Sequence, residues 1–186
     1  LCAALGRQGT HVADPVLLLE ADCWRELMAA APRSAVAYFS EAFPAALRRT
    51  LGARYARKGM RAAWVGMQGA EADIPADFAA WPTPQEWVGL LAAADEIVTN
   101  SFHGLCFAIL FERPFAVICP PDAARQMSLL RRLGLEAHRT EAAEEVEGIL
   151  EREVDWRAVR AKLAAFREES LRFLREALGD DEGGRR

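Results

Sequence analysis

The chain has 186 residues, with 27 acidic side chains against 23 basic ones and a net charge of −4. That balance excludes nucleic acid as the main partner, because phosphate backbones are held by basic surfaces. Hydrophobic residues make up 52% of the chain, yet the longest apolar run, Leu105 to Phe111, is far short of the roughly 20 residues that span a bilayer, so no transmembrane segment is expected.

In chain order, Asp14-Pro15 precedes a short apolar run, Val16 to Leu19, which reads as a strand or a packed loop. Asp22 is placed to cap a short helix beginning near Trp24. Ala35 to Phe39 is a compact strand. Ser40 and Pro44 open a helix whose Leu47, Leu51 and Tyr55 share one face, while Arg48, Arg49, Arg54, Arg57 and Lys58 form the other, read first as a solvated face and second as one that meets an anionic substrate or a partner domain. Gly59 stops that helix, and Arg61 to Met67 is the next buried strand. Gln68 to Trp81 reads as a loop. Thr83-Pro-Gln-Glu86 is a strong helix start, with Thr83 as cap, Pro84 in the first turn and Glu86 reaching back. Its helix runs to about Ala94.

Ile97 and Val98 then end a short strand, Thr99, Asn100 and Ser101 are capping residues, and Phe102 to Phe111 is an apolar helix. Phe115 to Cys119 is a further strand, closed by Pro120-Pro121. Asp122 caps a helix through Met127 and Leu133 that ends at Gly134. An extended piece, Ala137 to Thr140, leads to an acidic helix, Glu141 to Leu150. Asp155 caps a long last helix with Trp156, Val159, Leu163, Phe166, Ser170, Phe173 and Leu178 along one stripe.

Strands alternating with helices imply parallel βαβ units. The expected fold is a Rossmann-like α/β layer with a mostly parallel sheet, one domain over residues 1–178 and a disordered tail over 179–186. Ligands of such sheets bind at the carboxyl ends of the strands. Cys2, Cys23, Cys106 and Cys119 show no C-x-x-C pair and no histidine at metal spacing. Neither a metal nor a cofactor is expected, and a reducing cytoplasm, including its membrane periphery, is the expected compartment. The chain opens at Leu1 without Met or a charged-then-apolar leader, which suggests an excised piece or partial record of a longer protein.

The Gly-rich dinucleotide fingerprint, the P-loop, the nucleophile elbow and the zincin motif are all missing from the sequence. What carries chemistry is Thr99-Asn-Ser-Phe-His-Gly104. A strand turning straight into a helix leaves free N–H groups that favour an anion, and His103 in that first turn has an imidazole that can donate or accept a proton. On these residues alone, His103 reads more readily as a helix-start histidine bonded to a neighbouring carbonyl than as a functional group. Asn100 and Ser101 read as caps or as ligands, and Gly104 as a packing glycine or a point of close ligand approach. Arg125 reads as an anion ligand or a surface residue, Arg113 as structural, and His11 and His138 as without function.

Pro84-Gln-Glu-Trp87, Ala94 to Gly104, Phe107 to Phe115 and Ala124 to Leu135 follow one another as in the polysaccharide pyruvyl transferase family, which the chain resembles from about Asp14 to Leu178. Asp14 to Leu19 is similar to the segment that enters that family's C-terminal half. The resemblance implies a two-domain arrangement similar to the glycosyltransferase-B fold, of which this is the donor-binding half, with an N-terminal half outside it. It implies transfer of pyruvate from phosphoenolpyruvate to a saccharide acceptor, a sugar of a cell-surface polymer, as a ketal. His103 would be the active-site histidine, and Asn100, Ser101, His103, Gly104 and Arg125 the phosphoenolpyruvate contacts. Two other functions fit the bare pattern: a nucleotide-sugar glycosyltransferase of similar fold, and a non-catalytic anion-binding α/β module.

Overall fold

A computed structural model describes residues 9–40, 44–66 and 82–179. Among them, β1 (Ser34–Phe39), β2 (Ala62–Gly66), β3 (Ala94–Thr99), β4 (Phe115–Ile118) and β5 (Arg139–Thr140) form one sheet. All its pairings are parallel, in the order β2-β1-β3-β4-β5. A parallel sheet needs cover on both faces, which is why β1 and β4 are largely apolar rather than alternating. The chain therefore adopts the Rossmann-like three-layer architecture expected from its sequence.

The helices are α1 (Pro15–Leu18), α2 (Ala21–Leu27), α3 (Ala45–Lys58), α4 (Pro84–Ala93), α5 (Phe102–Leu110), α6 (Ala124–Leu133), α7 (Val146–Leu150) and α8 (Trp156–Leu178). Leu47, Leu51 and Tyr55 of α3 and Val146 and Ile149 of α7 cover one face, against Ala35, Ala37, Phe39, Trp64 and Val98. The apolar sides of α1, α4, α5, α6 and α8 cover the other. The chain leaves β1 for β2 in one direction, returns across β1 to β3, and then moves outward to β4 and β5. That reversal between β1 and β3 is the switch point at which doubly wound sheets open a crevice.

Local signals decided most boundaries. Thr83 and Glu86 make the reciprocal capping box, Gly59 and Gly134 end α3 and α6 in left-handed conformations, and Asp155 caps α8. Elsewhere the structure differs from expectation. Val16 to Leu19 is neither strand nor loop, because Asp14 accepts from the Val16 N–H and Pro15 sits in the first turn, which starts α1. Asp22 does not cap α2. It lies inside the first turn, Glu20 holds the boundary, and Asp22 pairs with Arg25 instead.

Asp122 likewise falls one residue early, in a turn closed by the Ala123 N–H on Pro120 O at 3.1 Å, so Ala123 stands at the start of α6. Pro44 opens α3 without Ser40. The piece expected to be extended begins with a 3-10 turn, Glu136–His138, before β5. The acidic helix is divided into a 3-10 turn, Ala143–Glu145, and α7, because Thr140 Oγ1 accepts from Ala142 N–H and bonds Glu145, turning the chain. The α8 stripe is buried through Ser170, whose hydroxyl receives the Ala13 N–H, but Leu178 is 81% exposed because it lies beyond the layer it would cover. The expected loop from Gln68 to Trp81, and the tail past Gly179, lie outside the described residues. No helix among the described residues is long and apolar enough to cross a membrane.

The largest correction concerns Arg54, which is not on a solvated face. Its side chain is 1% exposed, and Nε and Nη2 donate to the two oxygens of Glu96 at 2.9 and 3.0 Å. Nη1 reaches Glu151 at 3.3 Å and Glu147 at 3.2 Å. Glu96 sits inside β3 on the α3 face, where an unpaired carboxylate would be expensive, and the planar guanidinium fork satisfies both of its oxygens. Burial works against the Arg54 charge, but the Glu96 hydrogen bond and charge outweigh it and hold its pKa above the ordinary value.

Arg54→Met leaves the Glu96 carboxylate buried and unpaired, and should lower the unfolding free energy in urea by about 3–5 kcal/mol. Adding Glu96→Leu should recover most of that loss. A double variant no more stable than the single one would show that the pair acts through packing rather than charge.

Candidate functional site

The site is built by the chain leaving β3. Thr99 Oγ1 accepts from the Ser101 N–H at 3.0 Å, and Ser101 Oγ accepts from the Gly104 N–H at 3.4 Å. These two bonds turn the strand directly into α5, with Ser101 as its cap. Of the three residues expected to cap, Ser101 alone does so through its side chain. Two of the N–H groups expected to face an anion, those of Ser101 and Gly104, are thus used inside the turn. Those of Phe102 and His103 have no hydrogen-bond partner among the described residues.

Asn100 turns away from the helix. Its Oδ1 accepts from the Ser40 N–H at 2.9 Å and lies 3.3 Å from the Ser40 hydroxyl, which ties the carboxyl end of β1 to that of β3 at the switch point. The Asn100 carbonyl accepts from Gln126 Nε2 of α6 at 3.3 Å. With Oδ1 occupied, any ligand contact by this side chain falls to Nδ2.

Gly104 is a packing glycine. A Cβ there would stand 2.5 Å from Thr99 Oγ1 and 3.0 Å from Tyr38 Cδ1, closer than carbon tolerates. Its hydrogen atom lets the first turn of α5 lie directly on β3 and β1.

His103, one residue earlier, keeps 52% of its side chain exposed, with Nε2 3.6 Å from Asp14 Oδ2. The other Asp14 oxygen caps α1 at 3.0 Å. Asp14 therefore faces the imidazole from an element distant in sequence, and sequence reasoning missed it in that role. The Asp-Pro helix start was the readable signal, but it says nothing about which residue α1 will lie beside.

Arg125 stands in the first turn of α6, exposed, with its guanidinium carbon 4.8 Å over the Phe102 ring. The Phe102 and His103 rings are 5.9 Å apart. The structure thus brings Arg125 and His103 to one aromatic side chain at the start of α5. One turn into that helix, burial pushes the Cys106 thiol far above its ordinary pKa, which removes it as a thiolate nucleophile. His11 packs on Phe166 at 5.4 Å. His138 is buried, stacked on Phe115 at 4.9 Å, with burial lowering its pKa. Neither meets the site.

His103 also lines a cleft of about 510 Å³ at the carboxyl ends of β1 and β2. Val16, Trp24, Tyr38, Val65, Trp87 and Phe107 form much of its wall, whereas Phe102 and Arg125 take no part in it.

A family model described as "Polysaccharide pyruvyl transferase" matches residues 3–118, more than half of the chain. The match includes Asp14 and the whole Thr99–Gly104 turn and stops before Arg125. No curated protein matches the chain.

Gly104→Ala should destabilise the fold by about 1–3 kcal/mol, the usual cost of forcing a methyl into a filled site. Full stability in denaturant would mean that α5 can lift from β3. Asp14→Ser keeps a helix cap while removing the carboxylate, so stability should change by no more than about 0.5 kcal/mol. The ¹⁵N signals that report the His103 ring tautomer should shift in that variant, because a neighbouring acceptor selects the tautomer. Unchanged ring signals would reduce Asp14 to a cap.

Proposed function

The chain belongs to the polysaccharide pyruvyl transferase family, and from that premise we propose that it binds phosphoenolpyruvate and delivers its pyruvyl group, as a ketal, to a sugar of a cell-surface polysaccharide. On this reading it is the donor-binding half of a two-domain enzyme. The observation that carries the reading is the Arg125 guanidinium over the Phe102 ring, next in the chain to His103, with two helix-start N–H groups that have no partner among the described residues.

Phosphoenolpyruvate carries a phosphate and a carboxylate, so its site needs a fixed cation together with directed N–H donors. Arg125 offers the guanidinium fork, and the Phe102 and His103 N–H groups offer the positive end of α5. Asn100, Ser101 and Gly104 serve chiefly by holding this turn in shape.

In the reaction, a proton added to the methylene carbon makes a methyl group and leaves an oxocarbenium ion at the adjacent carbon. One sugar hydroxyl adds there and loses its proton. Phosphate then departs with its bridging oxygen, and a second hydroxyl adds to the new oxocarbenium ion and closes the ketal. One of the two hydroxyl protons replaces the proton taken up by the methylene, and the other leaves with phosphate. His103 serves this sequence either as the acid at the methylene carbon or as the group that stabilises the departing phosphate, a positioned role typically worth about 10²–10⁴-fold.

Calorimetry of the chain with phosphoenolpyruvate and with a UDP-sugar tests the reading. Phosphoenolpyruvate should bind, and Arg125→Ala should weaken it by about 10–100-fold, the scale of a lost hydrogen bond between charged groups. Binding of the UDP-sugar without phosphoenolpyruvate would sink the proposal. In assays of ketal formation, turnover that survives in His103→Ala would remove the histidine from the chemistry while leaving the donor assignment in place.

A further inference from the structure

We infer that the aromatic cleft beside His103 is the acceptor subsite, and that it takes a neutral saccharide ring. The inference rests on the transferase reading above and adds to it the place and the chemistry of the second substrate.

Three features of the cleft argue for this occupant. The first is charge. His103 is the sole ionisable side chain other than tyrosine among its described lining residues, so a phosphate or carboxylate would be desolvated there without a fixed cation. Arg125 lies over the Phe102 ring, and neither residue lines the cleft. His103 thus stands where an anion-accepting surface meets an apolar one, and two substrates of different charge can reach it from different directions.

The second feature is the aromatic wall. Tyr38 and Trp87 meet edge to face at 5.1 Å, Trp87 and Phe107 at 5.2 Å, and Trp24 and Phe107 at 5.0 Å. Each ring meets a neighbour edge to face, which restrains its orientation before a ligand arrives and lowers the ordering cost of binding. A sugar ring has one face of C–H groups that packs against such rings, while its hydroxyls radiate from the rim and can meet His103. The third feature is size: about 510 Å³ lies within the usual range for small-molecule sites and accommodates a hexose with its substituents.

The test uses saturation-transfer NMR on the chain with the methyl glycosides of glucose, galactose, mannose and N-acetylglucosamine and, separately, with UDP, alongside phosphoenolpyruvate calorimetry. At least one glycoside should receive saturation from aromatic protons of the protein. Val16→Trp, which fills the cleft without removing a side chain from the core, and Trp87→Leu, which removes a stacking ring, should each weaken that binding by about tenfold. Phosphoenolpyruvate affinity should stay unchanged in Val16→Trp. Should Trp87→Leu fail to fold, Val16→Trp decides alone.

If phosphoenolpyruvate binds but none of the glycosides does, or if Val16→Trp leaves glycoside binding intact, the acceptor assignment is overturned and the donor reading stands. If saturation reaches UDP through its uracil protons and Val16→Trp abolishes it, the cleft is a base slot, which overturns the inference. Loss of phosphoenolpyruvate binding in the unmodified chain is the separate failure of the donor reading, and it removes the acceptor role with it.

Discussion

The arrangement of the site depends on one missing methyl group. Gly104 lets the first turn of α5 press against Thr99 and Tyr38 at distances that a Cβ would forbid. From that contact follow the turn held by Thr99 and Ser101, the placing of His103 at the sheet's carboxyl edge, and the pair of helix-start N–H groups with no partner among the described residues. A methyl group at position 104 would meet Thr99 Oγ1 and Tyr38 Cδ1 unless α5 or its neighbours shifted. Glycine here is needed for contact rather than for backbone freedom, since its φ is not positive.

The two faces of the sheet solve different problems. On the α3 face a carboxylate in the middle of β3 is balanced by a buried guanidinium that also gathers Glu147 and Glu151 of the α7 region. Such pairs contribute little net stability compared with apolar packing, but they penalise every arrangement that separates their partners. The other face is largely apolar, and there α1, α4 and α5 line the cleft with no buried ion pair among the described residues. The charged pair locks α3 to β3, while the reactive edge is left to aromatic packing and a single exposed histidine.

His103 is therefore defined by its neighbours on three sides: Asp14 toward α1, the Phe102–Arg125 pair toward α6, and the aromatic wall toward α2 and α4. These come from widely separated parts of the chain, and the crevice at the β1–β3 reversal is where the doubly wound order brings them together. The Ser40–Asn100 bond ties the two strand ends on either side of that reversal.

Much of this was readable from the sequence because it rests on local physics. The short apolar strands, the Thr83 capping box, the glycine stops at Gly59 and Gly134 and the strand-to-helix turn at Thr99 to Gly104 all involve residues within a few positions of one another, where propensity and capping decide the outcome. The turn and its histidine were legible for that reason, and so was the parallel α/β class. Long-range partners decided the rest. Arg54 looks like its exposed neighbours Arg49 and Arg57 until β3 places Glu96 beneath it, and Asn100 looks like a cap until β1 offers Ser40. Asp14 looks like a cap alone until α1 lies beside α5. The sequence by itself determined the turn and the chemistry it carries. Only the tertiary structure decided which charges are buried, which polar atoms remain free, and what surrounds His103, because these depend on contacts between segments that no local pattern brings together.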